Sequence, residues 1–290
     1  MARITRPSGI AALTILIIGL SAPTLYQLLC SLITSLSLHV TSLAPPTPKP
    51  SSQPAEPPSP PPPAAPFTCL PHAYRTEIVS LDPLLIYIDS FLTAAEISSL
   101  LSAGEPSFLP SRVYKRGHDR GTSDRTSSSA ALPRSNAAVQ CVLARASAFL
   151  GAMLDPARDD VGPPQLVRYT AGQRFNRHRD WYERARRGAA GSWNRVASFF
   201  AVLQDGCAGG ETWFPLVNGT APAGEGEHGR PRWRRHEDGG LAFRPVAGNA
   251  LFWVNLFANG TGDDRTVHAG LPVTDGLKTA MNIWPRKFYG

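Results

Sequence analysis

Two imidazoles and one carboxylate, His178-Arg179-Asp180 and the distant His268, are the residues of this chain best suited to hold a metal. Side chains alternate with period two along an extended strand, so His178 and Asp180 share one face. A second histidine from another strand completes a facial triad, which leaves coordination positions open and is the usual protein site for non-haem Fe(II) in oxygenases. Lys278 lies ten residues beyond His268 and has the same strand-face parity, which suits an anionic co-substrate. His-x-Asp alone is a chance-level tripeptide. Its context gives it weight.

The elements that must position these residues start near residue 67. Of the chain's 28 prolines, those between Ala44 and Pro66 include Pro60-Pro61-Pro62-Pro63, a density that makes an extended polyproline II spacer. Before it, Ser8 to His39 contains no Asp, Glu, Lys or Arg, long enough to span a bilayer and too long for the apolar core of a cleaved signal peptide. Arg3 and Arg6 precede this run and the next cation is Lys49, so the positive-inside rule leaves the N-terminus cytosolic. The expected organisation is a cytosolic tail at 1–9, a signal-anchor at 10–40, a stalk at 41–66 and one domain at 67–290. That places the domain on the lumenal side of the endoplasmic reticulum or Golgi membrane. The sequons at Asn218 and Asn259 agree with such a compartment.

Within the domain, Thr93-Ala94-Ala95-Glu96 is a capping box that starts a helix, with Gly104 suited to its C-cap. An apolar stripe predicts a second helix over 137–153, and Ser111–Pro133 reads as a polar loop. Strands follow at 165–169, 196–204, 212–216, 241–243, 250–255, 265–269 and 278–284. Two helices followed by many short strands make an α+β chain whose core is a β-sandwich or jelly roll with helices outside. Cys69, Cys141 and Cys207 allow one disulfide and a free thiol, or leave Cys141 as a buried small hydrophobe. The net charge of +7 includes the cluster Arg230–His236, whose tryptophan could suggest nucleic acid, but a solvated surface loop over 217–240 is the simpler expectation, with no nucleic-acid partner.

Five ordered motifs extend the metal reading. They are Arg125-Thr126-Ser127; Arg168-Tyr169 running to His178-Arg179-Asp180; Gly209-Gly210-Glu211-Thr212-Trp213-Phe214-Pro215; Pro245 to Trp253; and His268-Ala269-Gly270-Leu271-Pro272-Val273 with Gly276, Lys278 and Trp284 behind. In this order they resemble the prolyl 4-hydroxylase alpha-subunit-like family of Fe(II)/2-oxoglutarate dioxygenases, over roughly Glu77 to Arg286. The resemblance implies a double-stranded β-helix (jelly-roll) core, with Fe(II) on His178, Asp180 and His268. It implies that Lys278 pairs with the distal carboxylate of 2-oxoglutarate and that Tyr169 donates its hydroxyl toward the same co-substrate. O2 is consumed, succinate and CO2 are released, and ascorbate serves as reductant. The substrate it implies is a proline-containing protein or peptide. Retention of Asp180 favours hydroxylation over halogenation, which needs that position for halide. The chain departs from the family pattern with Leu271 for cysteine, Thr279 for tryptophan after the lysine, and Ala197 for threonine. Two alternatives remain open here: another residue or a small molecule as substrate on the same scaffold, or a non-catalytic binding module.

Overall fold

A computed structural model describes residues 67–115, 118–120, 123–219 and 231–289. The expected signal-anchor and stalk lie outside them, and among the described residues no helix is long and apolar enough to cross a membrane. Ala64–Gly290 forms one compact unit.

Strands β1 (Arg75–Leu81) and β2 (Leu84–Asp89) lead to helix α1 (Ala94–Gly104), and helix α2 (Ala137–Leu150) precedes the remaining strands used below. These are β3 (Gln165–Thr170), β4 (Phe175–His178), β5 (Ala197–Gln204), β6 (Thr212–Phe214), β7 (Trp233–Arg235), β8 (Leu241–Phe243), β9 (Ala250–Val254), β10 (His268–Gly270) and β11 (Val273–Ile283). A nine-stranded antiparallel sheet runs β1-β2-β9-β5-β11-β3 and continues through Ser128–Ala131 to Leu109–Pro110, with Cys207–Gly209 pairing β11. A five-stranded antiparallel sheet runs β7-β8-β6-β10-β4. Together they make the jelly-roll core.

Alternation along β5 explains how the large sheet serves two environments. Phe199, Ala201 and Leu203 join the cluster that buries Val139, Val142, Leu143 and Ala146 of α2. Phe199 sits among Phe91, Phe149 and Phe252 at ring-centroid distances of 5.5, 5.3 and 4.8 Å. The other face, with Phe200, meets the cluster in which Leu251 and Trp253 of β9 pack on Phe214 and Phe243 of the small sheet. The helices therefore cover the outside, and the space between the sheets is left for the site.

The capping box forms as expected: Glu96 N donates to Thr93 Oγ1 at 3.1 Å and Thr93 N donates to Glu96 Oε2 at 2.8 Å. The same carboxylate receives both terminal nitrogens of Arg145 at 2.9 and 2.6 Å, which ties α1 to α2. Gly104 ends α1 with φ −87°, so left-handed freedom is not its role. A Cβ there would stand 2.4 Å from Leu166 Cδ1 of β3, so a larger residue would have to displace that buried side chain.

Several expectations are corrected. Ser111–Pro133 is not a plain loop: Val113–Lys115 pairs His118–Arg120, and Ser128–Ala131 pairs β3. Its apolar content is low: among the described residues of that stretch only Ala130 and Leu132 are buried hydrophobics. The 217–240 insert contains β7, and its basic cluster is not a solvated loop. Trp233 is buried, Arg232 pairs with Glu77 and Asp89 at 2.5 and 2.9 Å, and Arg234 pairs with Glu211 at 2.7 Å. The expected strand at 265–269 is a short 3-10 turn, Asp264–Thr266, before β10. The second helix stops at Leu150, with a 3-10 turn over Gly151–Met153.

Cys69 and Cys141 form the disulfide, with Cα atoms 5.6 Å apart, and Cys207 is the free thiol. The bridge closes a separation of 72 residues. On the chain-entropy account its removal costs about 4 kcal/mol. The Cys69→Ser, Cys141→Ser chain is therefore expected to melt at a clearly lower temperature, and thermal unfolding with and without reductant checks this.

Candidate metal centre

The triad is assembled by strand pairing. β10 pairs with β4 so that His268 lies directly across from His178, and Asp180 follows two residues after His178. One ligand atom from each of His178, Asp180 and His268 lies within 4.8 Å of the others. Asp180 Oδ1 is 3.8 Å from His178 Nε2 and 4.0 Å from His268 Nε2. Each histidine is oriented through its other nitrogen: His178 Nδ1 bonds Asn176 O at 2.9 Å and His268 Nδ1 bonds Thr266 O at 3.0 Å. Those carbonyls accept a hydrogen bond from Nδ1–H, which fixes the tautomer and leaves each Nε2 lone pair free for a metal.

Asp180 is fixed through its second oxygen. Oδ2 accepts from Ser198 Oγ at 2.7 Å and from Trp284 Nε1 at 3.0 Å, leaving Oδ1 for a metal. Asn255 Nδ2 in turn donates to Ser198 Oγ at 2.9 Å. Arg195 stacks 3.6 Å over the Trp284 ring and donates to the Asp180 carbonyl at 3.2 Å. Ala197, where the family often has threonine, is buried in the helix-covered core, and the hydroxyl that reaches Asp180 is that of Ser198. Sequence reading missed Ser198 and the role of Trp284. Their signal was the parity of Ser198 with Phe200, which lines the cavity.

Charges suit a divalent cation. Burial, followed by the neighbouring His268, pushes His178 down to about 3, so the imidazole is neutral and able to ligate at physiological pH. Burial opposes ionisation of Asp180, but His268, His178 and Arg195 outweigh it and hold the carboxyl at about 2. Two imidazole nitrogens and one carboxylate oxygen, converging and pre-oriented, fit Fe(II).

The triad opens into a cavity of about 500 Å³ lined in part by Tyr169, Phe175, Trp181, Phe200 and Thr212. Tyr169 is buried beside Arg125 and Ser127, and burial raises its pKa, so the phenol keeps its proton. Arg125, the residue of the first motif, stacks 4.8 Å over Phe175 and so belongs to the cavity wall. Lys278 pairs across from Tyr169 in the β11–β3 register. Its ammonium is buried 5.7 Å from the Tyr169 ring centre and 5.0 Å from that of Phe200. It lies against two wall residues rather than in the wall itself, and one of its three protons goes to Gly210 O at 2.5 Å. An ammonium left with two protons among aromatic rings fits a carboxylate ligand.

Comparison with known proteins agrees with this geometry. The sequence profile of the 2OG-Fe(II) oxygenase superfamily matches residues 164–286, which contain the whole triad and Lys278. Prolyl 4-hydroxylase 13 of Arabidopsis thaliana is 28% identical over 216 residues, 72% of this chain and 73% of that protein. Prolyl 4-hydroxylase 1 of the same plant is 29% identical over 223 residues, 73% of this chain and 72% of that protein. The chain is a prolyl 4-hydroxylase-like Fe(II)/2-oxoglutarate oxygenase. The viral collagen prolyl hydroxylase of Paramecium Bursaria Chlorella virus-1, solved as its 2OG complex, shares the fold with a TM-score of 0.51 at 22% identity, covering 70% of this chain and 95% of that one.

The oxygenase uses Fe(II), 2-oxoglutarate and O2, and is a dioxygenase rather than a binding module. Its departures from the family pattern stay clear of the triad. Thr279 faces away from Lys278, donating to Gln204 Oε1 at 2.6 Å and accepting from Arg168 at 3.3 Å. Leu271 packs on Trp213 and Ala269 beside the cavity. Because Trp284 holds Asp180 Oδ2, Trp284→Phe is expected to weaken iron binding by about tenfold or more while keeping the ring packing. Titration of the metal-free oxygenase with Fe(II) under argon checks this.

Proposed function

We propose that this oxygenase is a membrane-anchored prolyl 4-hydroxylase, acting on peptidyl proline in secretory-pathway proteins from the lumenal face of the endoplasmic reticulum or Golgi membrane. The observation that carries the reading is the match, over more than two-thirds of their length, to plant proteins named prolyl 4-hydroxylases. Support for the anchor and stalk comes from the uncharged run Ser8–His39 and the proline density of 44–66. The Cys69–Cys141 disulfide suits an oxidising compartment. Asn259 is exposed and available for glycosylation, and so is Asn218, although Thr220 of its sequon lies outside the described residues.

In this reading His178, Asp180 and His268 hold Fe(II), which with 2-oxoglutarate and O2 supplies hydroxylation of an unactivated C–H bond. Ascorbate would serve as the reductant. The chain's own groups do the positioning. Lys278 and the Tyr169 hydroxyl anchor the co-substrate, Ser198 and Trp284 fix the carboxylate ligand, and Phe175, Trp181 and Phe200 limit water around the reacting carbon. The full chain, given Fe(II), 2-oxoglutarate, ascorbate and proline-rich peptides, is expected to release succinate and add one oxygen atom at C4 of proline. No succinate above the His178→Ala control across a broad peptide panel removes the proposal. Oxygen appearing only on another residue or on a free metabolite replaces it with that substrate.

A further inference from the structure

Two carboxamides line the metal cavity, Asn282 on β11 and Gln165 on β3. They stand opposite each other in the β11–β3 register, and Asn282 also stands opposite Phe200 on β5. Strand alternation puts both on the face that carries Val167, Tyr169 and Ala280, between the sheets. Lys278 is four residues before Asn282 on that face, about 13 Å along the strand. Trp284, which holds Asp180, is only two residues beyond it. Asn282 is buried, and among the described residues neither carboxamide has a hydrogen-bond partner. A polar group left unpaired in a cavity costs free energy once water is expelled, so these two amides need partners on what the cavity binds.

We infer that Asn282 and Gln165 form a peptide-recognition subsite, which takes the backbone peptide group on the C-terminal side of the target proline and so positions its ring toward the metal. This rests on the peptidyl-proline reading and names how that substrate is held. A carboxamide offers a donor and an acceptor side by side, the complement of the C=O and N–H of a peptide group. The peptide group before a proline has no N–H, so only the one after it uses both. The co-substrate is a poorer fit. Its distal carboxylate has the Lys278 ammonium, and an anion is matched by cations rather than by neutral amides that also present an acceptor oxygen. The simpler account is that both amides stay hydrated and only fill the wall. That account predicts no preference for a peptide over its ester.

The test uses the full chain with labelled Ser-Pro repeat peptides and with the same peptides carrying an ester in place of each Pro–Ser amide. Binding is read by fluorescence anisotropy with Fe(II) and 2-oxoglutarate under argon, and turnover by succinate release and mass shift in air. The native chain is expected to bind the amide about tenfold more tightly than the ester. Asn282→Leu and Gln165→Met each remove one carboxamide at similar size. Each is expected to raise the peptide Kd and KM about tenfold, with the 2-oxoglutarate KM and Fe(II) content within about twofold of native. The two combined are expected to bind amide and ester alike. Should Asn282→Leu fail to fold, the ester comparison on the native chain and Gln165→Met, at a half-buried position, decide the matter. A native chain indifferent to the ester overturns the inference, as do variants that lose 2-oxoglutarate or iron rather than peptide. Amide bound more tightly than ester but never hydroxylated upholds the subsite and sinks the peptidyl-proline reading instead.

Discussion

Asp180→Asn is expected to abolish 2-oxoglutarate turnover, with loss of about 10³-fold or more. That exceeds the roughly 10–100-fold that the outer partners of metal ligands contribute. The substitution keeps the size of the side chain and an oxygen that can still accept from Ser198 and Trp284, whose donors at 2.7 and 3.0 Å are buried and costly to strand. What it removes is the negative charge that His178, His268 and Arg195 hold in the ionised form. Iron then faces two imidazoles and a neutral amide, and its affinity falls. Asp180→Asn is therefore expected to fold with a near-normal melting temperature and to retain little Fe(II) after dialysis, measured by metal analysis beside succinate release. Wild-type iron content with full activity would show that Asp180 is not a ligand.

The second large effect belongs to Lys278. Lys278→Met fills similar volume among Phe200 and Tyr169 but provides no charge for the distal carboxylate. The co-substrate's anion would then be buried without its partner. Stranding one member of a buried pair costs about 3–5 kcal/mol, which corresponds to roughly 10²–10⁴-fold in half-saturation for 2-oxoglutarate. The metal ligands are untouched, so Fe(II) content should hold while the 2-oxoglutarate KM climbs. Burial also pushes the Lys278 ammonium down to about 8, against the opposing pull of Cys207 and Glu211. Below that value the free enzyme carries the proton that pairs with the dicarboxylate. Above it the proton is lost, and binding must first restore it. The 2-oxoglutarate KM of the native chain is thus expected to rise by up to about tenfold per pH unit above pH 8. In Lys278→Met it should be flat there. A flat profile in both chains would place the carboxylate elsewhere.

The metal centre was legible because its information is local and chemical. The residue types and their order in the chain carry it, although Asp180 lies just past the end of β4, and His268 and Lys278 fall on two separate strands, β10 and β11. The cross-strand pairing of His268 with His178 and of Lys278 with Tyr169 then needed no further signal. What escaped were residues whose roles depend on long-range packing. Ser198 and Trp284 meet at Asp180 only because the sheets close on each other. Arg232 looked like part of a basic surface run, yet its partners Glu77 and Asp89 are more than a hundred residues away in sequence. The 111–133 region was misread for the opposite reason. Its strands are short and polar, pairing through the backbone, so hydrophobic periodicity had nothing to report.

The disulfide has a mechanical consequence. A pull applied between the chain's two ends reaches Cys69 and crosses to Cys141 on α2 through a covalent bond. The stretch between them, which holds β1, β2, α1 and the cavity residue Arg125, is bypassed and bears no tension. Load enters through a helix packed on the back of the large sheet, where Val139, Val142 and Ala146 grip the core. A pull on the chain just before Cys69 is therefore resisted by the scaffold, while that part of the cavity wall stays slack.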